Sequence, residues 1–172
     1  KTNKKNNLVS SDCGITQYYK DIKDKEKTIM KVFFGQLICG LMTLKKKGNF
    51  IMKVYSILHP FTISLVYFLT INFKKCYIFK PETSRQKGNS YEMYLVCIEY
   101  LDLLNLNDFN ILLDLLNNFD NEKNKNKTLI SFNDMNKSLF EKIILKIKKM
   151  NKIFLRFPNK LQYLNVDDSK NI

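Results

Sequence analysis

An α/β fold with a largely parallel sheet and a C-terminal helical extension is predicted by three features of this 172-residue sequence. Short apolar runs alternate with longer stretches whose apolar residues recur at three- and four-residue spacing, the pattern of strands and covering helices. Turn-forming residues, among them Gly14, Gly48, Pro60 and Pro81, fall between the two kinds of segment. After Leu104 the strand-like runs cease. Residues 1–104 are therefore expected to form the sheet unit and residues 105–172 a helical extension.

The elements follow in order. "NLVSSDCG" reads as a brief strand, Leu8 to Ser11, ending at Asp12 and a turn through Gly14. "TQYYKDIKDKEK" is polar and reads as a loop running into a helix. Met30, Phe33, Phe34, Leu37, Ile38, Leu41 and Leu44 predict a helix over residues 27–47. Lys45, Lys46 and Lys47 would sit in its last turn, where cations suit the helix dipole, and Gly48 would stop it. Gly35 and Gly40 inside that helix predict close packing against a neighbour. "FIMKVY" follows as a strand buried on both faces, with Lys53 in its middle. A buried ammonium is costly unless it is paired or loses its proton; alternatively its stem lies on apolar surface and its head reaches water.

Pro60 opens a second helix, to about Thr70, in the tolerated first-turn position. "KKCYIFK" is a strand closed by Pro81, "PETSRQKGNS" a polar loop, and "YEMYLVCIEYL" a long strand. The last two strands are joined without a helix, so they are expected to be antiparallel. In the extension, residues 107–118 carry Phe109, Leu112, Leu113 and Leu116 on one face. Residues 135–155 carry Leu139, Ile143, Ile144, Ile147 and Met150. "NEKNKNK" between them is a low-complexity linker.

A hydrophobic content of 45% suits one domain with a core. The formal charge of +13 points to a polyanionic partner, most simply nucleic acid. A joint excess of Lys and Asn is also what AT-rich coding imposes. Only Arg85 and Arg156 are arginine among the 29 basic residues. Cys13, Cys39, Cys76 and Cys97 lack C-x-x-C spacing, and His59 is the single histidine, so no zinc site is expected. The cysteines read as reduced and intracellular, three of them small core residues in apolar runs. The longest apolar stretch, residues 61–71, is too short to span a bilayer, and no apolar run follows the basic start as in a signal peptide. The chain begins with Lys1 rather than Met, which suggests a piece of a longer polypeptide. No glycine-rich phosphate loop, nucleophile elbow or internal repeat is present.

Sheets of this kind hold ligands at the carboxyl ends of their strands. Asp12 ends the first strand, Lys53 lies towards the end of the second, and Glu92 starts the last, whose start shares that edge if it is antiparallel. One lysine and two acids are thereby directed at a single cleft. Each also has an ordinary reading: a turn cap for Asp12, a snorkelling stem for Lys53, a solvent-facing edge for Glu92. Ser84 and Arg85 lie in the loop before the last strand. An arginine in a lysine-rich chain suits bidentate contact with phosphate or a base, or else a loop ion pair. Tyr55 and Tyr91 are candidates for stacking on bases. His59, before Pro60, reads as a helix-start residue.

"VSSDCG", "GNFIMKVY" and "KPETSR…NSYEMYLVC" together resemble the second half of the FtsJ-type RNA 2′-O-ribose methyltransferases. The resemblance covers about residues 8–98 and is nearest to the mRNA cap methyltransferases of eukaryotes and large DNA viruses; "NSYEMYLV" is also similar to the flavivirus enzyme. It implies a Rossmann-like, S-adenosylmethionine-dependent fold. It also implies capped mRNA as partner, no membrane, and a nuclear setting, or a cytoplasmic one if viral. The family uses a lysine–aspartate–lysine–glutamate tetrad. By resemblance Asp12 is its aspartate, also at the cofactor site, Lys53 its second lysine and Glu92 its glutamate. Ser84, Arg85 and Tyr55 would meet RNA.

The first lysine and the glycine-rich cofactor loop lie upstream in the family and have no counterpart here. That absence again suggests that a preceding part of the same polypeptide completes the domain. Cys13 stands where the family usually has glycine, and Tyr91 is inserted before Glu92. Lysine is implied as the general base for the ribose hydroxyl, with a pKa lowered by desolvation and a second lysine, against the opposing pull of the two acids. Other readings are a non-catalytic methyltransferase-like module that binds RNA or scaffolds a complex, and a methyltransferase of rRNA or tRNA.

Overall fold

The computed structural model describes residues 5–14, 22–81, 92–120, 128–156 and 162–165. In chain order the elements are β1 (Asn6–Ser11), α1 (Ile22–Thr43), β2 (Leu44–Val54), α2 (Pro60–Asn72), β3 (Phe73–Lys80), β4 (Met93–Tyr100), α3 (Leu106–Asn117), α4 (Lys137–Arg156) and β5 (Gln162–Asn165). The fold is mixed α/β, as expected, and Rossmann-like in its layering of helices on a sheet.

The strands lie in the order β1-β2-β4-β3-β5. β1 and β2 are parallel, while β4 runs antiparallel to both β2 and β3. β1, β2 and β3 therefore point the same way, and β4 is wedged between β2 and β3 against them. The expectation of a largely parallel sheet is corrected to this extent: one of the four adjacent pairings is parallel. β5, which no sequence signal announced, adds antiparallel to the outer edge of β3.

The apolar residues of the stripe predicted for residues 27–47 are all in the core: Met30, Phe33, Phe34, Leu37, Ile38 and Leu41 on α1, and Leu44 as the first residue of β2. The helix itself is displaced from residues 27–47. It starts at Ile22, inside the stretch read as a loop, and stops at Thr43. The Thr43 hydroxyl donates to the Cys39 and Gly40 carbonyls at 2.8 and 3.2 Å, which occupies acceptors of the last turn. Lys45, Lys46 and Lys47 are exposed residues of β2, not a helix C-terminus. Asn6 pairs with Leu44 and Leu8 with Asn49, so β2 carries extra residues here as a bulge, with Lys47 left-handed at φ 64°. A Cβ at Gly48 would come within 2.8 Å of the Lys45 carbonyl, so the close fold of this bulge requires the glycine that sequence assigned to a helix stop.

Gly40 does what its position in α1 predicts. A Cβ there would lie 2.5 Å from the Phe50 ring, so the helix backbone rests directly on β2. At Gly35 a Cβ would meet only Leu116 at ordinary contact distance. α2 is buried on nearly every face, from Phe61 to Asn72 apart from Ile63 and Ile71. Residues after 104 join the same core through Leu112, Met135, Ile143 and Ile147. The Leu129 amide donates to Ser64 Oγ at 2.9 Å, and the Asn136 amide to the Tyr67 hydroxyl at 2.8 Å, so the segment before α4 is fastened to α2.

Cys76 and Cys97 are buried cross-strand partners with sulfurs 3.5 Å apart, but Cys39 is exposed, a correction to its core assignment. It lies on the outward face of α1, between buried Ile38 and Gly40. Among the described residues no helix is long and apolar enough to cross a membrane.

Candidate active site

The parallel register of β1 on β2 sets the geometry. Ser11 is level with Met52, so Asp12, one residue on, arrives beside Lys53. The Asp12 carboxylate accepts from Lys53 Nζ at 2.6 Å. Lys53 is buried, only 9% exposed, whereas the Asp12 side chain is 65% exposed. The costly position noted in the sequence is thus resolved by pairing rather than by snorkelling: a buried ammonium faces a carboxylate at the mouth of the sheet.

Asp12 is framed from α1. Gln36 Oε1 accepts from the Ser11 hydroxyl and from the Cys13 amide, the latter at 2.9 Å, fixing the residues on either side of Asp12. Beyond them, a Cβ at Gly14 would lie 2.6 Å from the Tyr55 hydroxyl and 3.6 Å from Lys53 Nζ, so the turn needs a residue without a side chain. Lys53 Nζ also sits 5.6 Å from the centre of the Tyr55 ring.

The antiparallel pairing of β4 brings its start to this edge. Lys53 is level with Tyr94 and Val54 with Met93, so Glu92 enters the edge one residue before the ladder. Burial lowers the Lys53 pKa, but the hydrogen bond it donates to Asp12 and the charges of Tyr55, Asp12 and Glu92 outweigh it, and the net position is above the ordinary lysine value. The lowered value that the resemblance implies is not what these residues by themselves produce; the acids at this edge hold the proton on Lys53.

The structure therefore brings Asp12, Lys53 and Glu92 to one strand-end edge. It does not supply Tyr55 as a base-stacking surface. That ring is 5% exposed and stacks on Phe33 with centroids 6.2 Å apart, so it forms a wall under Lys53 and offers no open face. Ser84, Arg85 and Tyr91 lie outside the described residues. His59 is a helix-start residue as expected: its Nδ1 accepts from the Phe61 amide at 3.2 Å as N-cap of α2. Burial lowers its pKa, with Lys27 adding to this and Glu26 opposing it.

Two contributors carried no clear signal in the sequence. Glu26 is 1% exposed in the second turn of α1. Its carboxylate accepts from the Ser56 hydroxyl at 2.7 Å and from the Leu58 and His59 amides at 3.0 Å each. It thus clamps the loop that leaves the Lys53 strand. Lys80, at the end of β3, is likewise buried. Among the described residues no cluster of His, Cys, Asp or Glu is arranged to hold a metal ion.

The chemistry of this edge would suit a cationic cofactor such as S-adenosylmethionine, because the exposed Asp12 carboxylate carries the opposite charge to a sulfonium.

Residues 1–100 match the family of FtsJ-like methyltransferases. The chain is 33% identical over 166 residues to the "Probable methyltransferase EP424R" of African swine fever virus (strain Badajoz 1971 Vero-adapted), covering 92% of this chain and 38% of that protein. It is 36% identical over 76 residues to the "Cap-specific mRNA (nucleoside-2′-O-)-methyltransferase 2" of Drosophila melanogaster, covering 44% of this chain and 11% of that protein. To the "Cap-specific mRNA (nucleoside-2′-O-)-methyltransferase 1" of Dictyostelium discoideum it is 28% identical over 129 residues, 75% of this chain and 16% of that protein. The chain thus spans about two-fifths of the length of the viral relatives.

Proposed function

We propose, since this chain belongs to the FtsJ-like methyltransferase family, that it carries catalytic residues of an RNA 2′-O-ribose methyltransferase acting on capped mRNA. The observation that supports this reading is the buried Lys53 amine paired at 2.6 Å with Asp12 at the carboxyl edge of the sheet.

S-adenosylmethionine, when bound, supplies an electrophilic methyl group on a positively charged sulfur. The ribose 2′-hydroxyl is a weak nucleophile at neutral pH and needs a base within hydrogen-bond reach. Lys53 Nζ is that base once its own proton has left to solvent, the neutral amine accepting the hydroxyl proton as the oxygen attacks. Its resting proton is favoured by Asp12 and Glu92, and any further cation brought to the edge weakens that preference. Asp12 holds the amine by its hydrogen bond just past the end of β1, and the Glu92 charge acts on it from just before β4, so that much of the rate comes from positioning. Ser84 and Arg85 are proposed to hold RNA phosphate. Nucleus or cytoplasm would both serve such an enzyme.

The cap assignment rests on the similarity to proteins named as cap-specific methyltransferases. In the full-length gene product, a short RNA with a 5′ N7-methylguanosine cap is expected to accept methyl groups at least about tenfold faster than the same RNA with a bare 5′ triphosphate. Radiolabelled methyl transfer at one fixed salt concentration measures this, since phosphate contacts make affinity salt-dependent. Equal rates on both oligomers, or transfer only to ribosomal RNA, would move the enzyme to another substrate class. An intact fold that binds RNA but transfers nothing would favour a scaffolding module.

A further inference from the structure

β3 ends in a residue that its own packing does not explain. The burial pattern of the strand places Lys80 with Ile78 and Cys76 on the covered face, and Lys80 is 5% exposed. An apolar side chain would fill that position at lower cost, because taking an ammonium out of water is expensive even when it is well paired. Lys80 Nζ donates to the Glu92 carbonyl at 2.8 Å. That carbonyl lies one residue before the β4 ladder, at the point where backbone pairing with β2 has not yet begun.

We propose that Lys80 is a positioning residue for Glu92. Its buried ammonium pins the backbone where the chain enters β4 and counterbalances the Glu92 charge that acts on Lys53. This rests on the reading of Lys53 as the base. The groups acting on Lys53 are Asp12 just past β1, Tyr55 just past β2, Glu92 just before β4 and Tyr94 in β4. Lys80, bonded to the Glu92 carbonyl, also feels the Glu92 charge. Two carboxylates and two ammonium groups thus share one edge, and Glu92 acts on both amines. Burial lowers the Lys80 pKa and the Glu92 charge offsets only part of this, so its net position is below the ordinary lysine value.

Without the Lys80 charge, the Glu92 carboxylate acts on Lys53 alone and strengthens its hold on the proton. Turnover then requires a higher pH. The test is the pH dependence of kcat and KM for methyl transfer to capped RNA by the full-length gene product, with Lys53→Ala as reference. Lys80→Met is expected to lower kcat at neutral pH on the order of tenfold, with a smaller change in KM, and to move the rising limb of kcat to higher pH. Lys80→Arg, which keeps the charge, is expected to restore the limb. Lys80→Gln, which keeps a donor without charge, should behave like the methionine variant and serves if that variant does not fold.

A folded neutral variant with the limb unmoved, or a pH-independent fall in kcat, overturns the positioning role. If Lys53→Ala turns over like the natural protein, it is the base reading that fails, whatever Lys80 does.

Discussion

Replacing Lys53 by alanine or by arginine is expected to remove methyl transfer, with kcat falling by about 10²–10⁴-fold, the range for losing a positioned base. RNA affinity should change by less than about threefold, because Lys53 is buried and faces Asp12 rather than open surface. The arginine variant is the informative one. It keeps a cation opposite Asp12 and preserves much of the pair, but a guanidinium does not surrender its proton near neutral pH. Single-turnover methyl transfer, with RNA affinity measured separately by titration, distinguishes the two effects. An arginine variant that turns over within a few-fold of the natural protein would show that Lys53 is an electrostatic support and not a base.

The second large effect is expected at Glu26, and it is one of stability. Glu26→Ala strips the acceptor from the buried Ser56 hydroxyl and from the part-buried Leu58 and His59 amides. Leaving buried donors without an acceptor costs about 1–3 kcal/mol, a sizeable share of the 5–15 kcal/mol that holds a domain folded. Glu26→Gln keeps one acceptor oxygen and should lose less. Chemical denaturation of the two variants beside the natural protein measures this. A Glu26→Ala protein with an unchanged midpoint would mean that water or other donors relieve the loop. The same clamp fixes the chain just beyond Tyr55, so the glutamine variant should also lose turnover if the loop sets the height of Lys53.

How much of this was legible in the sequence follows from the range of each signal. The α1 stripe was readable because six apolar residues, Met30 to Leu41, keep one helical period, and all six are buried. Its ends were not, because a run of lysines is as compatible with a helix end as with an exposed bulge. Only pairing with β1, a long-range event, turned Lys45 to Lys47 into strand. Asp12, Lys53 and Glu92 could be picked out because strand-end positions and charge in an apolar run are local features. The 2.6 Å contact between the first two depends on parallel register, which no local feature encodes.

Tyr55 was misjudged for the same reason. Aromatic character is visible in sequence, but whether a ring faces solvent or Phe33 is decided by packing. Glu26 looked like one more charge in a polar stretch, and Lys80 like the end of a short strand. Their burial arises only when α1 meets the loop after β2 and when β4 inserts beside β3. β5 was invisible because residues 162–165 are short, and a lone edge strand takes its identity from the strand it joins.

The central claim is that the chemistry at this edge places a methyl group on a ribose 2′-oxygen. The measurement closest to it is the position of the transferred methyl. Capped RNA is methylated by the full-length gene product with labelled cofactor, hydrolysed in alkali, and the labelled fragment identified by mass spectrometry. A 2′-O-methyl group removes the hydroxyl that alkali needs to cleave the neighbouring phosphodiester. The predicted result is therefore a labelled, alkali-resistant fragment spanning the cap and the first nucleotides, absent when Lys53 is alanine. Label recovered on a base, or in mononucleotides released by alkali, would contradict the account.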